Sequence, residues 1–288
     1  MNQAARFRRL LEDGQMVIAP GAGDVLTARL VLQAGFSAVY MTGFGATASL
    51  LGTPDVGLLT QTEMVTHARN MARAVDPPVI ADADTGYGGP ANIERTVHEY
   101  ELAGVAAIHL EDQTSPKRCG QMSGIKLISS DEMVLKLKCA IAARRDSGLV
   151  IIGRTDALPA VGISEATRRA QAYAEAGVDI VFVDGIKKVD DLKAIGKAID
   201  SPLMVSIVDG NETTRLTIDE LSDMGFEIVI YPLSTLLSSS LAVKELLDEL
   251  KDTGSTHSRQ NQMMSYTEFT HIVKHDHYGD LDEKFGFN

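Results

Sequence analysis

Apolar residues in this chain gather into short unbroken runs separated by amphipathic stretches. The runs MVIAPG (16–21), AVYMTG (38–43), PVIADAD (78–84) and AAIHLED (106–112) are rich in β-branched residues, and most end in polar ones. LVIIGRTDA (149–157), IVFVDG (180–185), PLMVSIV (202–208) and EIVIYPL (227–233) continue the series. Continuous rather than alternating apolarity predicts strands buried on both faces, as in a parallel sheet covered by helices. The intervening stretches carry helix start signals. Thr60-x-x-Glu63, Ser129-x-x-Glu132 and Thr217-x-x-Glu220 have the capping-box pattern, and Pro90 suits a first helical turn. Gly35, Gly104, Gly177 and Gly225 each stand where a helix would end, just before the next strand. Eight such units predict an α/β fold, a (β/α)8 TIM barrel over 1–252. Strand count alone does not prove closure, so an open doubly wound sheet is the alternative. Residues 253–288 exceed what a bare barrel needs, and predict a C-terminal helical extension packing on the barrel or on a neighbouring subunit.

Composition narrows the picture without changing it. With 44% hydrophobic and 23% charged residues, the 288-residue chain is neither disordered nor fibrous in character. No stretch approaches the ~18 apolar residues of a spanning helix, and MNQAARFRRLLEDGQ lacks the apolar core of a signal peptide. A cytoplasmic protein is the expectation. Two cysteines are too few for a disulfide framework. The net charge of −12 disfavours nucleic acid and anionic membranes as partners, and an anionic substrate would need local positive charge or a metal.

The acidic residues are not spread evenly. In a barrel of this type the active site forms at the C-terminal ends of the strands. Those ends carry Tyr40 and Thr42, Asp82 and Asp84, Glu111 and Asp112, Arg154 and Asp156, Asp184, Ser206 and Asp209, and Tyr231 with Ser234. Converging carboxylates repel one another unless a cation sits among them. Asp82 and Asp84, two apart on a strand, are expected to share a face. Carboxylate oxygens without matching imidazole or thiolate ligands favour Mg2+, with Mn2+ the other possibility, over zinc. An Asp-x-Asp pair that merely caps a loop is the plainer reading.

A second constellation is SPKRCGQMSG (115–124), a loop after the fourth strand. Lys117 and Arg118 flank Cys119, and neighbouring cations are expected to lower its thiol pKa. The glycines suggest a loop that moves as a lid. Cys139, in an amphipathic helical stretch, reads as an inert apolar residue. Other features carry less. Gly43 to Ala48 matches a loose GxGxxA dinucleotide pattern, but Gly52 and Pro54 cut the helix short and Glu63 stands at a helix start. His271, His275 and His277 lack completing ligands, and His109 lies inside a strand. Local motifs assemble neither a Ser/His/Asp triad nor a phosphate loop.

The segments ADADTGYGGP, HLEDQTSPKRCG and GRTDA, with TPDVG, YPLS and MSYTEF, resemble the isocitrate lyase and phosphoenolpyruvate mutase superfamily, in its branch of short lyases. The likeness runs over nearly the whole chain. It implies a barrel whose last helix is swapped between subunits, in a homotetramer. It implies Mg2+ held by Asp82 and Asp84, with Asp55 and Glu111 reaching the ion through water. Thr42, Gly43 and Phe44, with Tyr40 beside them, match the segment that binds an oxo-acid carboxylate; Arg154, Gly120, Gln121, Asp184 and Ser206 complete the substrate site. Cys119 takes the role of proton donor, Tyr40 or a carboxylate acting through water that of base, and Lys117 and Glu111 join the catalytic group. The implied reaction is Mg2+-dependent carbon–carbon cleavage of a substituted 2-hydroxy dicarboxylate, of the 2,3-dimethylmalate or 2-methylisocitrate type, to pyruvate and a short carboxylate. Phosphorus–carbon bond formation on a carboxyphosphoenolpyruvate-like substrate, and oxaloacetate hydrolysis or decarboxylation, are the alternatives. The chain departs from the family pattern at Gln121, where a His is usual, at Asp184 for Glu and at Ser206 for Asn. The last two side chains are shorter and enlarge the pocket.

Overall fold

The computed structural model describes residues 1–286 of the chain. It begins with α1 (Gln3–Glu12), β1 (Val17–Ala22), α2 (Val25–Gln33), β2 (Val39–Met41), α3 (Gly43–Leu51), α4 (Gln61–Ala74) and β3 (Val79–Asp82). There follow α5 (Pro90–Ala103), β4 (Ala107–Glu111), α6 (Ser130–Ala143), β5 (Val150–Thr155), α7 (Ala157–Val161), α8 (Ile163–Glu175) and β6 (Ile180–Val183). The chain ends with α9 (Val189–Ala198), β7 (Leu203–Ser206), α10 (Ile218–Asp223), β8 (Phe226–Tyr231), α11 (Ser234–Thr253), α12 (Tyr266–Ile272) and α13 (His275–Phe285). All eight strands run parallel in sequential order, and β8 pairs with β1 to close the barrel. Closure removes the open-sheet alternative.

The start and stop signals are used as the sequence implies. Thr60 and Thr217 make complete capping boxes. Ser129 accepts from the Glu132 N–H, but the reciprocal bond is absent. Gly35, Gly104, Gly177 and Gly225 all take the left-handed conformation that lets a helix turn into the next strand.

Two apolar layers hold the barrel. Outward strand residues such as Met41, Ala81, Ile108 and Ile151 pack under the helices. Inward ones such as Ile80, Ala107, Ile152, Met204 and Ile228 fill the interior, joined by Phe7 from α1. That helix, which the periodicity of the strands does not foretell, plugs the N-terminal end of the barrel with a fully buried Phe7. The alternation also settles which polar strand-end residues face inward. Continuing the inward rows leads to Tyr40, Asp82, Glu111, Arg154, Phe182, Ser206 and Ile230 at the C-terminal rim.

The last elements behave differently. α11 crosses the 252/253 boundary and buries none of its residues. Leu237, Leu241, Val243 and Leu247 are about half exposed, from 47% to 57%. α12 folds back onto the barrel, where Ile272 is buried and Arg29 of α2 donates to its carbonyl at 3.3 Å. Of the extension, 287–288 lie outside the described residues. Among the described residues, no helix is long and apolar enough to cross a membrane.

Candidate active site

The C-terminal mouth holds a narrow cavity. Tyr40, Thr42, Phe44, Asp55, Asp82, Cys119, Gly120, Gln121, Arg154, Asp184 and Ser206 line it, so most of the polar residues singled out in the sequence meet at one place. Phe182, Val208, Ile230, Pro232 and Leu233 form an apolar wall that the polar motifs did not announce. Gly43 lies just behind the surface, at the start of α3. A Cβ there would collide with the Asp82 carboxylate, so the helix start can approach that acid only through a glycine. Thr42 caps this helix, accepting from the Gly45 N–H at 3.2 Å. The GxGxxA pattern thus does open a helix after a strand, but its N-terminus faces Asp82 rather than open space.

Asp82 ends β3, whereas Asp84 lies beyond it in a turn. Asp84 has φ +48° and donates its N–H to Asp82 Oδ1 at 2.9 Å. Strand alternation therefore does not align the two carboxylates, contrary to the expectation from their spacing; a tight turn brings them together. Burial works to raise the Asp82 pKa, but His109, Lys117 and Arg154 together outweigh it and hold the carboxylate ionised. His109 is itself pushed down to about 4 by burial, so near neutral pH the lasting positive charges are Lys117 and Arg154. Asp84 is raised to about 6, by burial first, against the pull of Lys117.

Lys117 corrects a second expectation. Its ammonium is buried, 2.7 Å from Asp55 Oδ2 and 2.7 Å from Asp84 Oδ1, and does not line the cavity. It is committed to these carboxylates instead of activating the neighbouring thiol. Burial raises Cys119 to about 12, so the group in the cavity is a protonated thiol rather than a thiolate. The cation-lowered pKa expected from the sequence is overturned, because burial exceeds any gain from cations already paired. A neutral thiol is nevertheless the form a proton donor requires.

Tyr40 is corrected in the same way. Burial and then the charge of Asp82 push its phenol well above the usual range. Its hydroxyl lies 2.9 Å from His109 Nε2, and a neutral phenol held there orients a neighbour but offers no free phenolate as base. Arg154 is gripped by Asp156, with Nη2 to Oδ1 at 2.8 Å and Nε to Oδ2 at 3.2 Å, and by Asp184 Oδ2 at 2.7 Å. Its guanidinium lies 5.4 Å from the centre of the Phe182 ring. Gly120 of the loop packs so closely against Asp184 and Asp156 that a Cβ would overlap their carboxylates.

Asp112 faces outward, being one residue past the inward Glu111. It accepts from Thr155 Oγ1 (2.7 Å), the Asp156 N–H (2.9 Å), Arg169 Nη1 (2.8 Å) and the Tyr173 hydroxyl (2.7 Å). This network fixes the end of β5 that carries Arg154. The odd-even position along β4 is the sequence signal that separates Asp112 from the site. Tyr231 and Ser234 also fall outside the cavity, and Ser234 donates to Asp209 at 2.7 Å.

The donor set suits a hydrated divalent cation. Both carboxylate oxygens of Glu111 are buried without a hydrogen-bond partner; the nearest cation, Arg154 Nη2, is 3.4 Å from Oε2. A buried, unpartnered carboxylate calls for water or a cation beside it. Among the described residues, no three His, Cys, Asp or Glu side chains are grouped so as to hold a metal ion by themselves. Hard oxygen donors without a protein cage match Mg2+, which keeps several waters of its own. His271 pairs with Asp276 at 3.0 Å on the exposed tail and has no part in the mouth.

Comparison with known proteins agrees with the geometry. The phosphoenolpyruvate phosphomutase family matches residues 7–251, and the chain belongs to it. A 2,3-dimethylmalate lyase of Eubacterium barkeri is 45% identical over 273 residues, covering 95% of this chain and 94% of that one. An oxaloacetate acetylhydrolase, solved with the inhibitor 3,3-difluorooxalacetate, superposes with a TM-score of 0.94 at 35% identity, covering 100% and 98% of the two chains. A phosphonopyruvate hydrolase in complex with oxalate and Mg2+ superposes with a TM-score of 0.89 at 30% identity, covering 99% of each. The chain is an enzyme of the lyase and mutase superfamily that these proteins share.

Proposed function

We propose that the enzyme is a Mg2+-dependent carbon–carbon lyase that cleaves a substituted 2-hydroxy dicarboxylate, of which 2,3-dimethylmalate is the type, to pyruvate and a short carboxylate. The observation that carries this reading is a partly buried Cys119 thiol, raised to about 12 and so protonated, at a cavity lined by both Arg154 and an apolar wall. When bound, Mg2+ supplies Lewis-acid polarisation of the oxo-acid oxygens.

The residues divide the remaining work. Thr42 and Phe44, which line the cavity around the start of α3, take the carboxylate next to the hydroxyl-bearing carbon. Tyr40, held by His109, orients the 2-hydroxyl. Its proton passes through water to a carboxylate of the Asp82 and Glu111 cluster. As the oxygen–hydrogen pair becomes the new carbonyl bond, the C2–C3 bond breaks and its electrons move into the second carboxylate fragment. Arg154 faces the charge that grows there, and the Cys119 S–H delivers a proton to the fragment's α-carbon. Solvent reprotonates the thiolate when the loop opens. Val208, Ile230, Pro232 and Leu233 suit alkyl groups on the departing fragment better than a phosphonyl group, which favours the lyase over phosphorus–carbon chemistry.

A panel of 2-hydroxy dicarboxylates and oxaloacetate, assayed with and without Mg2+, tests the proposal. Pyruvate release from an alkylated malate, absent without Mg2+, is expected. Oxalate from oxaloacetate as the sole efficient turnover would replace the lyase reading with hydrolysis, and turnover of a phosphonate precursor alone would replace it with a mutase.

A further inference from the structure

Cys119 rides on a loop, so the position of its thiol depends on how that loop is anchored. The loop leaves β4 at Asp112 and returns at Ile128, whose N–H donates to the Asp112 carbonyl at 3.0 Å. Its stem is a short antiparallel bridge of Gln113 with Leu127, and the Thr114 N–H donates to the Lys126 carbonyl at 2.8 Å. Beyond the stem lies the tip, 115–125, which carries Cys119.

One side chain crosses from stem to tip. Gln113 Nε2 donates to the Arg118 carbonyl at 2.7 Å, and Gln113 Oε1 accepts from the Arg118 N–H at 2.9 Å. On the other side, the Cys119 N–H donates to the Asp55 carbonyl at 3.0 Å. The peptide unit joining Arg118 to Cys119 is thus held at its carbonyl by Gln113 and at its N–H by Asp55. Gln113 is 2% exposed, so in the closed loop its amide has no ready water to replace Arg118. The clasp needs a group that donates and accepts at once, which a primary amide does. A glutamate would turn an oxygen toward the Arg118 carbonyl, and an asparagine falls one methylene short.

We propose that Gln113 is a positioning residue for Cys119: its amide clasp on Arg118 sets the closed-loop place of the thiol. The catalytic consequence rests on Cys119 being the proton donor, whereas the positional one does not. The test uses the full chain with Cys139→Ser, so that alkylation by iodoacetamide reports Cys119 alone, in Mg2+-containing buffer well below the melting temperature. Gln113→Leu and the isosteric Gln113→Glu should each speed alkylation about ten- to hundredfold, the loss of two buried hydrogen bonds favouring the open loop. Gln113→Asn should fall between these and the parent. In pyruvate release kcat should fall by a similar factor while KM rises less, since Thr42, Phe44 and Arg154 line the cavity from outside the loop even though Gly120 and Gln121 move with it. Alkylation of both Leu and Glu variants within about twofold of the parent, even with a lower melting temperature, would show a merely structural role and overturn the proposal. If Gln113→Leu does not fold, the alkylation rate of Gln113→Glu alone decides between these outcomes. Alkylation needs no substrate, so the test holds even if no hydroxy acid is turned over.

Discussion

Burial governs the chemistry of single residues at this site more than sequence neighbourhood does. Lys117 and Arg118 adjoin Cys119 in the chain, yet the thiol is raised to about 12 because it is desolvated and Lys117 is committed to Asp55 and Asp84. The identities of Cys119, Arg154 and Asp82 were legible as candidates from motif and strand-end position. Their protonation states were not, because these depend on which side chains from other elements face them. Asp156 shows the same dependence in a measurable form. Burial raises its carboxyl from 3.8 to about 6 despite Arg154. Between about pH 4 and 6 the unfolded chain has already lost this proton while the folded one keeps it, so its contribution to stability declines as pH rises through that window. Denaturant unfolding of Asp156→Asn across pH 4 to 7 should lack this decline, so that the parent loses stability relative to the variant as pH rises through the window. An unchanged difference between the two would contradict the assignment.

At the scale of elements, the strands and most helix ends could be read directly. Runs apolar on both faces became the eight barrel strands, and helix-ending glycines took left-handed conformations at every junction predicted. What escaped the sequence pattern are features set by tertiary contact. Asp84 leaves the strand for a positive-φ turn, Asp112 points outward to α8, and α1 seals the barrel floor. The apolar wall at the ends of β6 to β8 escaped because apolar residues at a strand end look like more core. The plug offers a check on the division between stability and chemistry. Phe7→Ala removes a fully buried ring at the end opposite the cavity, and should cost about 3–5 kcal/mol in unfolding free energy with kcat nearly unchanged. A large fall in kcat with intact stability would mean that the two ends of the barrel are coupled.

Taken whole, the molecule carries after β8 a long helix, α11, that buries none of its own residues. Val243, Leu247 and Leu250 recur at i, i+4 and i+7 along α11, all of them exposed. A contiguous apolar stripe of this kind is costly in water and suits burial against another subunit. We propose that α11 is exchanged with a second copy of the chain in a homotetramer, as the family resemblance implies. Leu247→Asp should lower the mass seen by sedimentation at micromolar concentration. A parent that already sediments as a monomer would contradict the exchange.

Carbon–carbon cleavage and proton delivery from Cys119 are joined in one reaction, so a single experiment reaches both. Turnover of 2,3-dimethylmalate with Mg2+ in D2O, read by proton and carbon NMR, should yield pyruvate together with propionate carrying one deuterium at its α-carbon in a single configuration. Cys119→Ser, still folded, should slow this by about 10²-fold or more. Absence of pyruvate, or deuterium in both configurations at an undiminished rate in the variant, would contradict a lyase that protonates its product from Cys119.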